Sequence, residues 1–191
     1  MKKLPFLLLI SLLSLMQSAL AQSAQELMPL KVGNSWIYSE ILYRDDLTIN
    51  QQRTDTVVVV KDTVINDITW YSVYTRSNRN YTYMRNSEKG LHWMQAREFT
   101  PVAEEFVAFP YPAPEGNESQ FATVKLKLRN LSKELLWQSK TIKCVEYVIP
   151  EGPGVETVFN ILPGVGNVLI ERYANDLLNI RYELTQFIPA E

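Results

Sequence analysis

The 191-residue chain carries 19 Lys and Arg against 21 Asp and Glu, with one His and one Cys. Its basic residues are scattered, which argues against a nucleic-acid or anionic-membrane surface, since both need concentrated positive charge. A lone cysteine cannot make an internal disulfide, and one His with one Cys about fifty residues apart is a poor basis for a zinc centre.

The chain opens with a basic start at Lys2 and Lys3, an apolar run from Leu4 to Met16 and small residues at Ala19-Leu20-Ala21. This is the pattern of a secretory signal peptide. The run is interrupted by Ser11, Ser14, Gln17 and Ser18 and is shorter than the roughly 20 apolar residues of a spanning helix. Cleavage is expected after Ala21, with no cysteine following to carry a lipid. The expectation is a signal peptide over 1–21 and a single exported domain over 22–191, periplasmic or extracellular, without a membrane span. Loss of Lys2 and Lys3 leaves 17 basic against 21 acidic residues, and a domain of this size can bury a core without disulfides.

Beyond a short polar leader, Gly33-Asn34 supplies a tight turn into an aromatic, β-branched strand from Trp36 to Tyr43. After Arg44-Asp45-Asp46, Thr48 to Lys61 contains four consecutive valines, Val57 to Val60. Strict alternation would expose every second one, so the run predicts burial on both faces or a bulge that switches faces. Asn66-Asp67 marks a two-residue hairpin between strands near Thr56–Ile65 and Ile68–Arg76, because both residues tolerate positive φ. A second hairpin runs from Asn80–Arg85 through a longer loop, Asn86 to Gly90, into LHWMQA, with Gly90 in a left-handed position.

Pro101, Pro110, Pro112 and Pro114 interrupt strand pairing, leaving a short strand at Glu104–Phe109 and an exposed loop at Pro110–Ser119. Asn117-Glu118-Ser119 and Asn130-Leu131-Ser132 match the glycosylation acceptor pattern, meaningful only in a host that uses it. Phe121–Arg129 alternates cleanly, Val124, Leu126 and Leu128 against Thr123, Lys125, Lys127 and Arg129, as a strand with one wet face does. Ser132–Lys140 is read as a strand, being too short for a stable helix. Thr141–Ile149 follows, with Cys144 as a buried small hydrophobe, then a turn at Pro150–Gly154. Glu156–Leu162 enters and Val168–Tyr173 leaves a corner at Pro163-Gly164-Val165-Gly166. Asn175-Asp176 turns the chain into a final half-buried strand, Leu178–Ile188. At the corner Pro163 presets φ and Gly164 accepts the positive φ of a type II turn, while Gly166 permits a bulge or a close backbone approach. No helix follows to make this glycine-rich stretch a phosphate loop.

Ten to twelve strands joined by turns predict an all-β domain: a single antiparallel, strongly curved sheet, or a partial barrel or sandwich. PLKVGNSWIY, DTVINDITWYSVY, the Lys143-Cys144 dipeptide and LPGVGNVLIERY, in this order, resemble uncharacterised secreted bacterial β-domains of the TapB-like kind. The resemblance spans nearly the whole of 22–191 and implies an exported antiparallel fold of bacterial origin. It implies no catalytic residue. The chain departs from that pattern at Asn66-Asp67, where Asn-Gly is more typical, and at Asn167, where an apolar residue is usual.

For chemistry, His92 lacks evident partners for a triad or a metal site and reads as an ordinary strand histidine. Of the carboxylate pairs that glycoside hydrolysis would need, Glu104 and Glu105 point to opposite faces if that segment is a strand. Asp45-Asp46 and Asp62 with Asp67 read as solvated turn charges, and DTVIND lacks the glycine and distal acid of a calcium loop. No cofactor, metal or catalytic residue is expected. Aromatics are the remaining signal: Trp36, Tyr38, Tyr43, Trp70, Tyr71, Tyr74, Tyr81, Tyr83, Trp93, Phe106, Phe109 and Tyr111 crowd one part of the chain. Tyr and Trp suit the rim or lining of a cavity. Trp70, Tyr74, Tyr81, Tyr83 and Trp93 are therefore the expected ligand-binding residues, and Pro163, Gly164 and Gly166 the structural turn. The function expected is a non-enzymatic exported domain that binds a lipid-like or other apolar molecule, or another envelope protein, on a concave aromatic-rich face. The alternatives are a structural module with no pocket and a carbohydrate-binding domain.

Overall fold

Local turn chemistry shapes the strands of this chain, whose residues 26–97, 100–101, 105–121 and 124–191 are described by a computed structural model, with the backbone alone at 95–97, 100, 101 and 121. The expected signal peptide lies outside the described residues, as do Glu104 and Thr123. Asn66-Asp67 and Asn175-Asp176 take positive φ at both positions, 52° and 62°, 51° and 63°. That is the type I′ geometry whose twist matches the flanking strands. Gln138-Ser139 does the same, at 47° and 64°, although neither residue advertises it.

The strands are β1 (Ser35–Tyr43), β2 (Ile49–Ile65), β3 (Ile68–Thr75), β4 (Asn80–Ser87), β5 (Gly90–Arg97), β6 (Thr100–Pro101) and β7 (Phe106–Pro110). The second half supplies β8 (Glu118–Phe121), β9 (Val124–Trp137), β10 (Lys140–Gly152), β11 (Val155–Leu162), β12 (Gly166–Ala174) and β13 (Leu177–Ile188). They form one antiparallel sheet in the order β6-β5-β4-β3-β2-β1-β13-β12-β11-β10-β9-β8, with β7 off this path on β5. The expected strands at Phe121–Arg129 and Ser132–Lys140 fall largely within one 14-residue strand, β9, while Phe121 ends β8 and Lys140 begins β10. The expected five-residue loop after Arg85 is a tighter turn at Glu88-Lys89, closed by Gly90 at φ +122°.

The sheet curls into a nearly closed barrel. β7 brings its far end against β10 and β11: Phe109 meets Tyr147 and Phe159 edge-on at 5.2 and 5.3 Å, and the Tyr147 hydroxyl donates to the Pro110 carbonyl at 2.6 Å. Gly90 makes this passage possible, since a Cβ there would stand 2.1 Å from the Phe109 carbonyl oxygen. Tyr111 and Ala113, expected in an exposed loop, pack against the core for the same reason.

Inside the barrel, alternation sorts the side chains. Leu126 and Leu128 are wholly buried while Lys125 and Lys127 are exposed, as their period-two pattern requires. In the valine run, pairing with β3 slips between Val59 and Lys61, so Val59 is buried and Val60 exposed. The expected face switch is thus a bulge.

Leu27, Met28 and Leu30 enter the same core ahead of β1. They are tied down where the Gly164 amide donates to the Glu26 carbonyl and the Asn86 side-chain amide donates to the Met28 carbonyl, at 2.6 and 2.8 Å. Across Pro163-Gly164 the Val165 amide reaches the Leu162 carbonyl at 2.9 Å, with Gly164 at φ +82°: the type II turn expected from Pro-Gly. Val165 then offers its carbonyl to the indole N–H of Trp36 at 2.6 Å. A Cβ on Gly166 would come within 3.3 Å of that nitrogen, so the close approach expected of Gly166 is to Trp36.

Gly164→Val places a β-branched residue in the left-handed region. It is expected to cost about 1–2 kcal/mol and to lower Tm by several degrees, measured by calorimetry; an unchanged Tm would refute this account of the corner.

Candidate functional site

The interior face changes character along β1. Trp36, Tyr38 and Glu40 point inward in succession and sit opposite Val57, Asp55 and Arg53 of β2. On the other side Tyr38 lies opposite Leu184 and Glu40 opposite Tyr182 of β13. The core is therefore apolar at the Trp36 level and polar one and two pairs further on.

Both acids of this row are buried, Glu40 to 2% exposure and Asp55 to 4%, and each has a distinct set of partners. Glu40 takes the fork of Arg53, with Nη2 at 2.9 Å from Oε1 and Nε against Oε2, and also the hydroxyl of Tyr182 at 2.9 Å. Among the described residues Asp55 has no such cation: its Oδ1 accepts the amides of Thr56 and Ser77 at 2.7 and 2.8 Å, and its Oδ2 the Ser77 hydroxyl at 2.6 Å. Burial, reinforced by the Asp55 charge, pushes the Tyr38 phenol well above its usual range. Burial and the bond to Glu40 push Tyr182 up to about 12. Both phenols remain protonated at neutral pH.

Tyr38, Asp55, Ser77 and Tyr182 edge a half-open interior cavity of about 280 Å³. Met28, Val57, Met84, Leu91, Phe109 and Ile170 form its apolar walls. Tyr38, Asp55, Ser77, Asn78, Asn167 and Tyr182 form its polar side. An apolar volume with a few convergent polar groups is the usual form of a small-molecule site.

The five aromatics expected from sequence lie elsewhere. Trp70, Tyr83 and Met94 make a separate cluster, with Ile65 and Tyr81 packed on it. Alternation puts it on the sheet face opposite Val73, which belongs to the main core. The Arg85 guanidinium lies over Trp70, 5.2 Å from the ring centroid, and Tyr74 leans on Tyr81 with centroids 4.7 Å apart. Trp93 alone joins the main core, edge-on to Phe106 at 5.4 Å. None of the five is among the described residues that line the cavity. Tyr38 and Phe109 of the wider aromatic group do line it. Asp55, Ser77 and Tyr182 had no local signal, because Ser77 reaches Asp55 and Tyr182 reaches Glu40 only through strand pairing.

His92 has partners that the sequence did not reveal. Glu105 Oε1 stands 2.5 Å from Nδ1, and Ser87 Oγ stands 2.7 Å from Nε2. The nearer carboxylate makes Nδ1 the protonated nitrogen, so Nε2 accepts from the Ser87 hydroxyl. Pairing of β5 with β7, His92 opposite Val107, is what delivers Glu105. Arg85 contacts Glu105 as well, which offsets the negative charge that would stabilise an imidazolium. Burial first, then the Arg85 charge, hold His92 below its usual pKa. Ser87 also accepts the Lys89 amide at 3.0 Å within the hairpin turn. The trio ties the β4–β5 turn to the start of β7.

Of the other acids, Asp45 is exposed and Asp46 is bonded to the Thr48 amide and hydroxyl in the β1–β2 turn. Asp62 and Asp67 are exposed on and beside the first hairpin. Cys144 is wholly buried, and burial pushes its thiol up to about 11.

No family model and no curated protein matches the chain. Two solved structures are similar to it at a TM-score of 0.46. One is a provisionally named lipoprotein from Parabacteroides distasonis ATCC 8503, 10% identical. The other is a provisionally named exported protein with a YmcC-like fold from Bacteroides fragilis NCTC 9343, 11% identical. Each likeness covers 87% of this chain and all of the other.

Because folded His92 binds a proton less readily than unfolded histidine, its contribution is complete above the unfolded pKa of about 6.5 and is lost as pH falls toward the lower folded value. Urea denaturation between about pH 7 and pH 5 should show this acid-side loss, and His92→Gln should flatten it. An unchanged slope in the variant would contradict the assignment.

Proposed function

We propose that this chain is an exported, non-enzymatic β-domain that holds a small, largely apolar molecule inside its curved sheet. The observation that carries this reading is the interior cavity of about 280 Å³, walled by flexible methionines and aliphatic side chains and edged by polar groups on one side. Methionine adapts its shape to varied apolar ligands. Support for export comes from the signal-type sequence of residues 1–21, and the TapB-like resemblance is consistent with it. The periplasm or the outside of the cell is the compartment this implies.

A flat carbohydrate platform is less well supported, because Trp70 is 1% exposed and Trp93 packs into the core. Against hydrolysis, burial and the Arg85 charge hold the base of the Ser87-His92-Glu105 trio below its usual pKa, and the serine accepts a turn hydrogen bond. Incubation with a fluorophosphonate should accordingly leave the intact mass unchanged; stoichiometric labelling of Ser87 would overturn the non-enzymatic reading.

Met28 and Met84 face the cavity, so their labelled methyl groups report on its contents. Titration with hexanol should move both resonances saturably, and Ile170→Trp, which fills the cavity from β12, should weaken binding roughly tenfold or more, as loss of an apolar ligand's contacts does. Unmoved methyl resonances at millimolar hexanol would remove the basis of the proposal.

A further inference from the structure

We infer that the molecule held in this cavity carries an amine, bound as its ammonium by Asp55. The inference rests on the cavity-binding reading and adds the chemical class of the ligand.

Hydrogen-bond accounting on the polar side leads to it. The Tyr38 hydroxyl proton is committed to the Asn167 carbonyl at 3.0 Å, and that of Tyr182 to Glu40 at 2.9 Å. The Ser77 hydroxyl proton is committed to Asp55. These three hydroxyls therefore present lone pairs and no free proton. The side-chain oxygen of Asn167 is buried and has no hydrogen-bond partner among the described residues. A carboxylate offers about four lone-pair sites; three donors reach that of Asp55, two on Oδ1 and one on Oδ2. Its remaining capacity is on Oδ2.

Charge points the same way. Glu40 and Arg53 neutralise each other in a forked pair, and among the described residues no Lys or Arg forms an ion pair with Asp55. One carboxylate, 4% exposed, thus gives the polar side its net charge. A buried carboxylate is costly until a cation meets it. A ligand acid or phosphate would face this carboxylate without a compensating cation, whereas an ammonium supplies both charge and three donors. The walls then take the apolar body of the ligand.

The test compares three probes of one chain length on the wild-type protein at neutral pH, read by the Met28 and Met84 methyl resonances: hexylamine, hexanol and hexanoate. A charge-assisted hydrogen bond predicts hexylamine binding roughly tenfold or more tighter than hexanol, with hexanoate weakest. Asp55→Asn should bring hexylamine to within about twofold of hexanol, since that bond is what separates them; Ser77→Ala, which frees Oδ2, should preserve the preference. A lysine side chain offers the same ammonium on a shorter stem. Tighter binding of N-acetyl-lysine amide than of hexylamine would support the amine and assign its source to a protein partner. Equal binding of amine and alcohol, or binding of hexanoate as tight as either, would overturn the amine and leave the cavity reading intact. Failure of all three probes to move the methyl resonances would overturn both. Should Asp55→Asn fail to fold, the wild-type series decides alone.

Discussion

The hydrogen bond from the Trp36 indole to the Val165 carbonyl ties the first strand to the β11–β12 corner in the other half of the barrel. Burial of an indole removes on the order of 200 Å² from water, worth about 5 kcal/mol of transfer free energy, but only if its N–H finds an acceptor. The corner at Leu162–Gly166 provides one. Its proline and glycine make the turn, and the absent Cβ of Gly166 lets the backbone come down on the ring. Phe187 of β13 stacks on the other side at 5.3 Å. One side chain of the first strand is thus held by the β11–β12 corner and by the last strand.

Much of this was legible in the sequence where a requirement is local. Asn66-Asp67, Asn175-Asp176 and Pro163-Gly164 each announce a dihedral demand that few residues meet. The four valines announced a conflict with alternation that a bulge at Val60 resolves. Gln138-Ser139 escaped notice because its left-handed conformation is imposed by the pairing of Lys140 with Trp137 and not favoured by either residue. Propensity gave no warning; cross-strand packing overrides it.

The candidate site was less legible, for a different reason. Aromatic content says that a side chain is large, flat and suited to strands, and says nothing of which face it takes. Along β3, Trp70 and Ser72 take one face and Tyr71 and Val73 the other; Tyr83 joins the Trp70 face only because it pairs with Ser72, and the register of β3 against its neighbours decides which face is inside. Polar cavity residues are harder still. Asp55 follows a threonine and precedes another in a strand that is mostly exposed up to that point, and its significance comes from Ser77, Tyr38 and Asn167, which topology alone brings to it.

The position of β1 between β2 and β13 has a kinetic consequence. The strand that emerges early finds β2 at once, across a short turn, while its other edge must wait for the last strand of the fold. Ser35 meets Ile188, and Leu42 meets Ile180, only after all the intervening chain has been made and moved. Until then an apolar strand bearing Ile37 and Ile41 has an open row of amides and carbonyls in the middle of the future sheet, where a foreign strand could pair. The pairing of β1 with β13 is the least local in the sheet, the kind of contact whose loop-closure cost slows folding. Loss of β13 would not trim the rim of this barrel; it would split it at the centre.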